Sequence, residues 1–154
     1  FLIVNNEVHK NIKTDFFTIN KFDPKININE KVALVKYHPG YNPDILKNII
    51  DSGYKAIIFE GTGLGHVGKN MYPIIKMANE KRIFMGMTSQ CIDGRVRMTV
   101  YESGRDLLNL GIIPLEDMIP EVALVKAMWV TGNTENYDEI KENMLNKIAS
   151  EFST

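Results

Sequence analysis

Cysteine is almost absent: Cys91 is the single thiol in 154 residues, so no intrachain disulfide can form. A chain of this length buries enough surface to hold a core without disulfides or a structural metal. A lone thiol suits a reducing compartment, which makes the cytoplasm the expected location. Long apolar runs are also missing. The opening Phe1-Leu2-Ile3-Val4 is cut short by Asn5-Asn6-Glu7, too brief for a signal-peptide core or a membrane span, so no membrane association is expected. Neither charge predominates: 18 basic residues against 19 acidic ones leave a formal net charge of -1, which gives the whole chain no pull toward a phosphate backbone. Histidine is sparse, and His9, His38 and His66 lie far apart with no carboxylate partner at helical ligand spacing. No metal and no cofactor is therefore expected.

What is present is the composition of a globular domain, 44% hydrophobic and 24% charged. The start at Phe1, without a methionine, leads us to expect a piece of a longer protein. Residues 1–30, rich in Asn, Lys and Ile with alternations such as Phe16-Phe17-Thr18-Ile19, read as a connector or edge strands from a preceding domain. Residues 31–154 read as one α/β domain. Val32-Ala33-Leu34-Val35 is a buried strand, and Asp44 to Asp51 places Ile45, Leu46, Ile49 and Ile50 at helical spacing, with Gly53 just beyond. Lys55 to Phe59 is a second strand. Met71, Ile74, Ile75 and Ala78 mark a helix in which Pro73 falls in the first turn, and Arg82 to Met87 is a third strand. Alternating strands and helices predict a small parallel sheet covered on both faces, a three-layer sandwich. Further on, Val96 to Val100 alternates like another strand, and Leu107, Leu108 and Leu110 belong to a helix closed by Gly111. Pro120 opens a helix whose buried side is Val122, Leu124, Val125, Met128 and Trp129 and which Gly132 ends; Asp138 to Glu151 forms the last helix.

Open parallel sheets bind ligands at the carboxyl ends of their strands. Two loops hold that position. Gly61 to Gly68 lets backbone approach a ligand, with Thr62 and His66 as the hydrogen-bonding side chains between its glycines. Thr88 to Gly94 leaves the neighbouring strand with hydroxyls, an amide and a thiol, and the two loops are expected to face one cavity. The first loop also fits the G-x-G-x-x-G pattern of dinucleotide binding, although Met87-Thr88-Ser89-Gln90 stands where that pattern requires a ribose-binding acid. A purely structural role for the glycines, in a tight turn and close packing, remains open beside it. Cys91 has no evident base to activate it and reads as a small buried or ligand-lining residue. Asp93, Arg95 and Arg97 read as a solvated face, His38 as a loop residue and Trp129 as core.

The stretches Glu60-Gly61-Thr62-Gly63-Leu64-Gly65-His66-Val67, Met87 to Cys91, Gly94-Arg95-Val96 and Val100 to Leu108 occur in a fixed order. They continue with Gly111 to Pro114, Glu116-Asp117-Met118 and Pro120 to Trp129. Together they resemble the carboxyl-terminal domain of the L-asparaginase superfamily, most closely the archaeal glutamyl-tRNA(Gln) amidotransferase D subunits, from about Lys31 to Glu151. The resemblance implies a Rossmann-like or flavodoxin-like α/β domain and an amidohydrolase that splits the side-chain amide of glutamine or asparagine through a threonine nucleophile and an acyl-enzyme. In the amidotransferase the ammonia goes to glutamate on tRNA(Gln), with an E subunit as partner. The resemblance also implies that the catalytic groups sit in the preceding domain, so no catalytic role falls on this chain, including the isolated pair Thr14-Asp15. Alone, the chain is expected to be inactive. Family members pair as homodimers, which makes Gly61, Thr62, Gly63, Gly65 and His66 candidates for lining the substrate cavity, and Thr88, Ser89, Gln90 and Cys91 candidates for a ligand or effector loop. A free-standing L-asparaginase, or a dinucleotide or small-ligand binding module, are the alternatives.

Overall fold

The computed structural model describes residues 2–4, 7–9 and 24–153. Leu2–Val4 (β1) and Glu7–His9 (β2) form an antiparallel pair. The alternation at Phe16 to Ile19, read as a connector or edge strand, and the pair Thr14-Asp15 lie outside the described residues.

Val32–Lys36 (β3), Ala56–Gly61 (β4), Phe84–Ser89 (β5) and Ile113–Pro114 (β6) make a parallel sheet in the order β3-β4-β5-β6. Ile57, Phe59, Met85 and Met87 face the helices Pro43–Asp51 (α1), Tyr72–Glu80 (α2) and Glu102–Asn109 (α3). Ala56, Ile58 and Phe84 face the opposite way, toward Pro120–Asn133 (α4) and Tyr137–Leu145 (α5). All seven of these strand residues are fully buried. Sealing both faces is why the strands read as unbroken apolar runs, and each large side chain so buried stabilises the fold by roughly 1.5–3 kcal/mol. The three-layer α/β sandwich is thus the observed architecture.

Local chemistry fixes the helix starts. The side chain of Asn42 accepts the amide of Asp44 at 3.0 Å, with Pro43 at the first helical position of α1. Asn136 does the same for Asp138 and Glu139 at the head of α5, and Pro73 lies in the first turn of α2.

Four expectations need correction. First, β5 runs from Phe84 to Ser89, so Thr88 and Ser89 belong to the strand; Arg82 stands before it at φ 54, turning the chain out of α2. Second, Val96 to Val100 is not a strand. Its amides bond to scattered partners, Val96 to the carbonyl of Glu116 and Arg97 to that of Leu64, and the alternation survives only as burial of Val96 and Met98. The fourth strand is instead β6, which the sequence hides because it is two residues long and ends in a proline tolerable only at a sheet edge.

Third, α4 passes through Gly132 to Asn133, and its buried face is Ala123, Lys126, Ala127, Val130 and Thr131, while Val125 is 60% exposed. Glu121 and Lys126 are the only charged residues of this helix, so apolarity alone does not choose a face. Gly132 provides a notch rather than a stop. A Cβ there would lie 2.6 Å from the carbonyl oxygen of Asn27, because residues 25–29 cross the helix at this point. The Trp129 indole donates to the Lys25 carbonyl at 2.7 Å, the Asn133 side chain to that of Asn27 at 3.0 Å, and the Asn29 amide to that of Met128 at 2.9 Å.

Fourth, α5 stops at Leu145 instead of Glu151. Beyond it the chain folds back as a strap. Lys126 Nζ donates to the Asn146 carbonyl and pairs with Glu151 at 3.0 Å, their side chains only 4% and 8% exposed. Phe152 lies beneath the ammonium groups of Lys126 and Lys147. The amide and hydroxyl of Ser153 both donate to the Asp117 carboxylate.

Candidate functional site

The carboxyl ends of the strands are in register, Lys36 beside Glu60 and Glu60 beside Thr88, so their exit loops gather on one edge of the sheet. The glycine loop leaves β4 and turns back on itself. Thr62 and His66 exchange two backbone bonds of 3.0 Å, the Gly65 amide bonds to Thr62, and the Thr62 hydroxyl donates to the His66 carbonyl at 3.3 Å. Gly63 sits at the exposed tip with φ 51; Gly65, at φ 98, presses onto Met87, Val96 and Met98. His66 is half-buried with its ring centroid 5.6 Å from that of Tyr101, and its Nε2 is shielded without a hydrogen-bond partner among the described residues. A shielded imidazole nitrogen left unpaired costs about 1–3 kcal/mol, so among the described residues this edge holds an unmet polar group.

The second loop locks onto the first. Ser89 Oγ donates to the Gly63 carbonyl at 2.6 Å and accepts the Cys91 amide at 3.0 Å, and the Gln90 amide bonds to Gly61. Gln90 Nε2 also donates to the carbonyls of Tyr37 and Glu60, tying the exits of β3 and β4 together. Thr88 is wholly buried, and its hydroxyl donates to the Phe59 carbonyl at 2.9 Å.

Beside these loops lies a cavity of about 420 Å³. Its sides are Ser89, Gln90, Cys91 and Ile92, the ion pair of Lys36 and Glu60 at 2.6 Å, and a wall running from Glu116 to Glu121. The two loops touch, but the glycines and His66 do not line this cavity. Glu116 takes φ 58, a left-handed conformation unusual for a residue with a Cβ, and is held by Arg95 at 3.4 Å. Partial burial pushes the Asp117 carboxyl up, yet the hydroxyl and amide of Ser153, its own amide and the Arg95 guanidinium together hold it below the usual carboxylate range. Sequence reasoning missed the wall and the Lys36–Glu60 pair; Glu60, an acid closing an apolar strand, was the available signal.

Cys91 is exposed and lines the cavity, so it is not a buried residue. Asp93 and Arg97 are exposed, while Arg95 is drawn into the pair with Glu116. His38 sits on an exposed loop beside Tyr41. The dinucleotide pattern does not produce dinucleotide geometry. Gly61 to Gly65 close a hairpin, Gly68 caps only a single 3-10 turn at Lys69–Met71, and α2 begins at Tyr72, so no α-helix N-terminus abuts the glycines. No group of three or more metal-ligating side chains converges among the described residues.

The family model of the glutaminase/asparaginase C-terminal domain matches residues 31–144. The D subunit of glutamyl-tRNA(Gln) amidotransferase from Sulfolobus acidocaldarius is 48% identical over 134 residues, covering 87% of this chain and 30% of that protein. Its counterpart from Pyrococcus abyssi is 51% identical over 126 residues, 82% of this chain and 29% of that protein. The chain therefore spans under a third of the length of these relatives. Among solved structures, L-asparaginase I from Vibrio cholerae superposes with a TM-score of 0.83 at 25% identity, covering 96% of this chain and 45% of that one. The thermostable L-asparaginase from Thermococcus kodakarensis gives 0.75 at 29% identity, covering 93% and 46%. With its parallel sheet, its glycine hairpin at the strand ends and this match over most of its length, the chain belongs to the glutaminase/asparaginase C-terminal domain family.

Proposed function

We propose that this chain is the carboxyl-terminal domain of a D subunit of glutamyl-tRNA(Gln) amidotransferase. The longer polypeptide releases ammonia from the side-chain amide of glutamine or asparagine, in the cytoplasm, for conversion of glutamate on tRNA(Gln) to glutamine. The observation that carries this reading is identity of 48% and 51% to such subunits, sustained over 87% and 82% of the chain. An E subunit and tRNA complete the assembly. The threonine nucleophile belongs to the preceding domain, so this chain contributes orientation rather than bond breaking.

In a homodimer, the rim formed by Gly61, Thr62, Gly63, Gly65 and His66 borders the partner's active site. Two properties support this. The Gly63 tip stands exposed, with nothing within 4 Å of where a Cβ would stand, so a second chain can approach it closely. His66 Nε2 is shielded yet unpaired among the described residues, the condition that a polar substrate end or partner group would relieve. The cavity at Ser89, Gln90 and Cys91 is a separate place for a small polar ligand or effector.

The test is ammonia release by the full-length polypeptide with glutamine or asparagine, each with and without the E subunit and tRNA(Gln). We expect hydrolysis that rises when both are added, and none from the 154-residue chain alone. Asparagine hydrolysis indifferent to both additions would favour the free-standing L-asparaginase reading, to which the two superposed structures lend weight. Absence of ammonia under every condition would overturn both.

A further inference from the structure

We infer that the carboxyl-terminal strap, Asn146 to Ser153, is a positioning element for the glycine rim, acting on it through intermediate residues. The strap is held firmly to the body. The buried Lys126 of α4 donates to the Asn146 carbonyl, pairs with Glu151 and lies over the Phe152 ring, which packs on the core beneath α4 and α5; within the strap the amides of Ile148 and Ala149 bond to Glu151 and set its turn. From this base Ser153 grips Asp117 through both its amide and its hydroxyl.

Asp117 adjoins Glu116, whose φ of 58 persists only while neighbours hold it. Those neighbours lead to the rim. The Glu116 carbonyl accepts the Val96 amide at 2.9 Å, and the amide that follows, that of Arg97, donates to Leu64 in the glycine loop at 3.0 Å. The Val96 side chain also lies against Gly65, within 3.1 Å of where a Cβ would stand. The chain of contacts is therefore strap, Asp117, Glu116, Val96 and Arg97, then Leu64 and Gly65. Its middle members have no sheet ladder of their own and are held by these bonds together with the Arg95–Glu116 pair and the burial of Val96. A docked strap fixes the wall, and the wall fixes the height and tilt of the rim. Only the consequence for substrate rests on the proposed function; the mechanical coupling does not.

Amide hydrogen exchange on the 154-residue chain tests the coupling directly. Phe152→Ala loosens the strap, and Asp117→Ala cuts the link while leaving the Lys126–Glu151 pair intact. Both are expected to speed exchange at Val96, Arg97, Gly65 and His66 by about tenfold, with the β4 amides unchanged, since local opening is read separately from global unfolding. Asp117→Asn keeps an acceptor for the Ser153 amide and should restore most of the protection. Unchanged exchange at the rim despite faster exchange at Ile148 and Ala149 would overturn the inference. So would a uniform rise across rim, wall and β4, which marks destabilisation alone. In the full-length enzyme, Phe152→Ala should raise KM for the amide and leave kcat nearly unaltered. Were that enzyme to lack amidase activity, the functional proposal would fall while the exchange result stood.

Discussion

Alanine at the two left-handed glycines of the rim separates backbone strain from packing. Gly63 has φ 51, within the left-handed helical region, and an added Cβ would meet nothing within 4 Å. Gly63→Ala should therefore cost only the penalty of a left-handed L-residue, about 1 kcal/mol. Gly65, at φ 98, lies further than Gly63 from the left-handed helical minimum, and its Cβ would stand 2.9 Å from Met87 Cγ, 3.1 Å from Val96 Cγ1 and 3.3 Å from Met98 Cγ. Overpacking of roughly 1–3 kcal/mol then adds to the backbone strain, so Gly65→Ala should lose about 2–4 kcal/mol. Urea denaturation followed by Trp129 fluorescence reads both changes, because the chain has one tryptophan. With a slope of about 2 kcal/mol per molar urea, the midpoint should fall by about 0.5 M for Gly63→Ala and about 1.5 M for Gly65→Ala. Equal shifts, or the larger shift at Gly63, would refute the assignment of Gly65 to packing and of Gly63 to an open tip.

Lys126→Met should leave Glu151 without its cation in a site where both side chains are over 90% buried, at a cost of about 3 kcal/mol by chemical denaturation; adding Glu151→Leu should recover most of it. Asp117 and Glu151 are both held below their ordinary values. Burial pushes each up, but hydrogen bonds and a neighbouring cation outweigh it. A carboxyl lowered in the native state stabilises above its unfolded value, near 3.9 for Asp and 4.3 for Glu, and that contribution is lost as pH falls through the native value. The thermal midpoint should accordingly stay level from about pH 6 to 5 and drop below about 4.5, with a shallower drop in Glu151→Gln. Gly132→Ala should gain about 1 kcal/mol of helix propensity but force Asn27 away from the helix, for a net loss of about 1 kcal/mol. Displacement of Lys25 from the indole of Trp129 should then appear as a shift in the native emission maximum.

The sheet was legible wherever burial on both faces left an unbroken apolar run, as in Ala56 to Phe59. It was illegible where a polar side chain is satisfied inside the fold: Thr88 is fully buried because Phe59 takes its hydroxyl, so a strand residue looked like loop. Val96 and Met98 carry the alternation of a strand because they seal the underside of the glycine hairpin, a tertiary cause that periodicity cannot distinguish from a ladder. Lys126 was hidden for a related reason. A lysine among apolar residues signals the solvent side of a helix unless its counter-ion is known, and Glu151 lies 25 positions away. At the candidate site, the composition of both loops could be read directly. Their mutual locking through Ser89 and Gln90, and the separation of the rim from the cavity, depend on strand register and required the structure.

The buried ammonium of Lys126 also says that the folding unit runs past the last helix. The family match closes at residue 144, one residue before the last helix ends, and a boundary drawn there would look natural on secondary structure. Physically it would amputate the carboxylate that neutralises that lysine and bare the apolar floor on which Phe152 rests. Trimming at Leu145 is thus expected to yield an insoluble or poorly folded product, whereas a chain that keeps residues through Ser153 retains these fastenings.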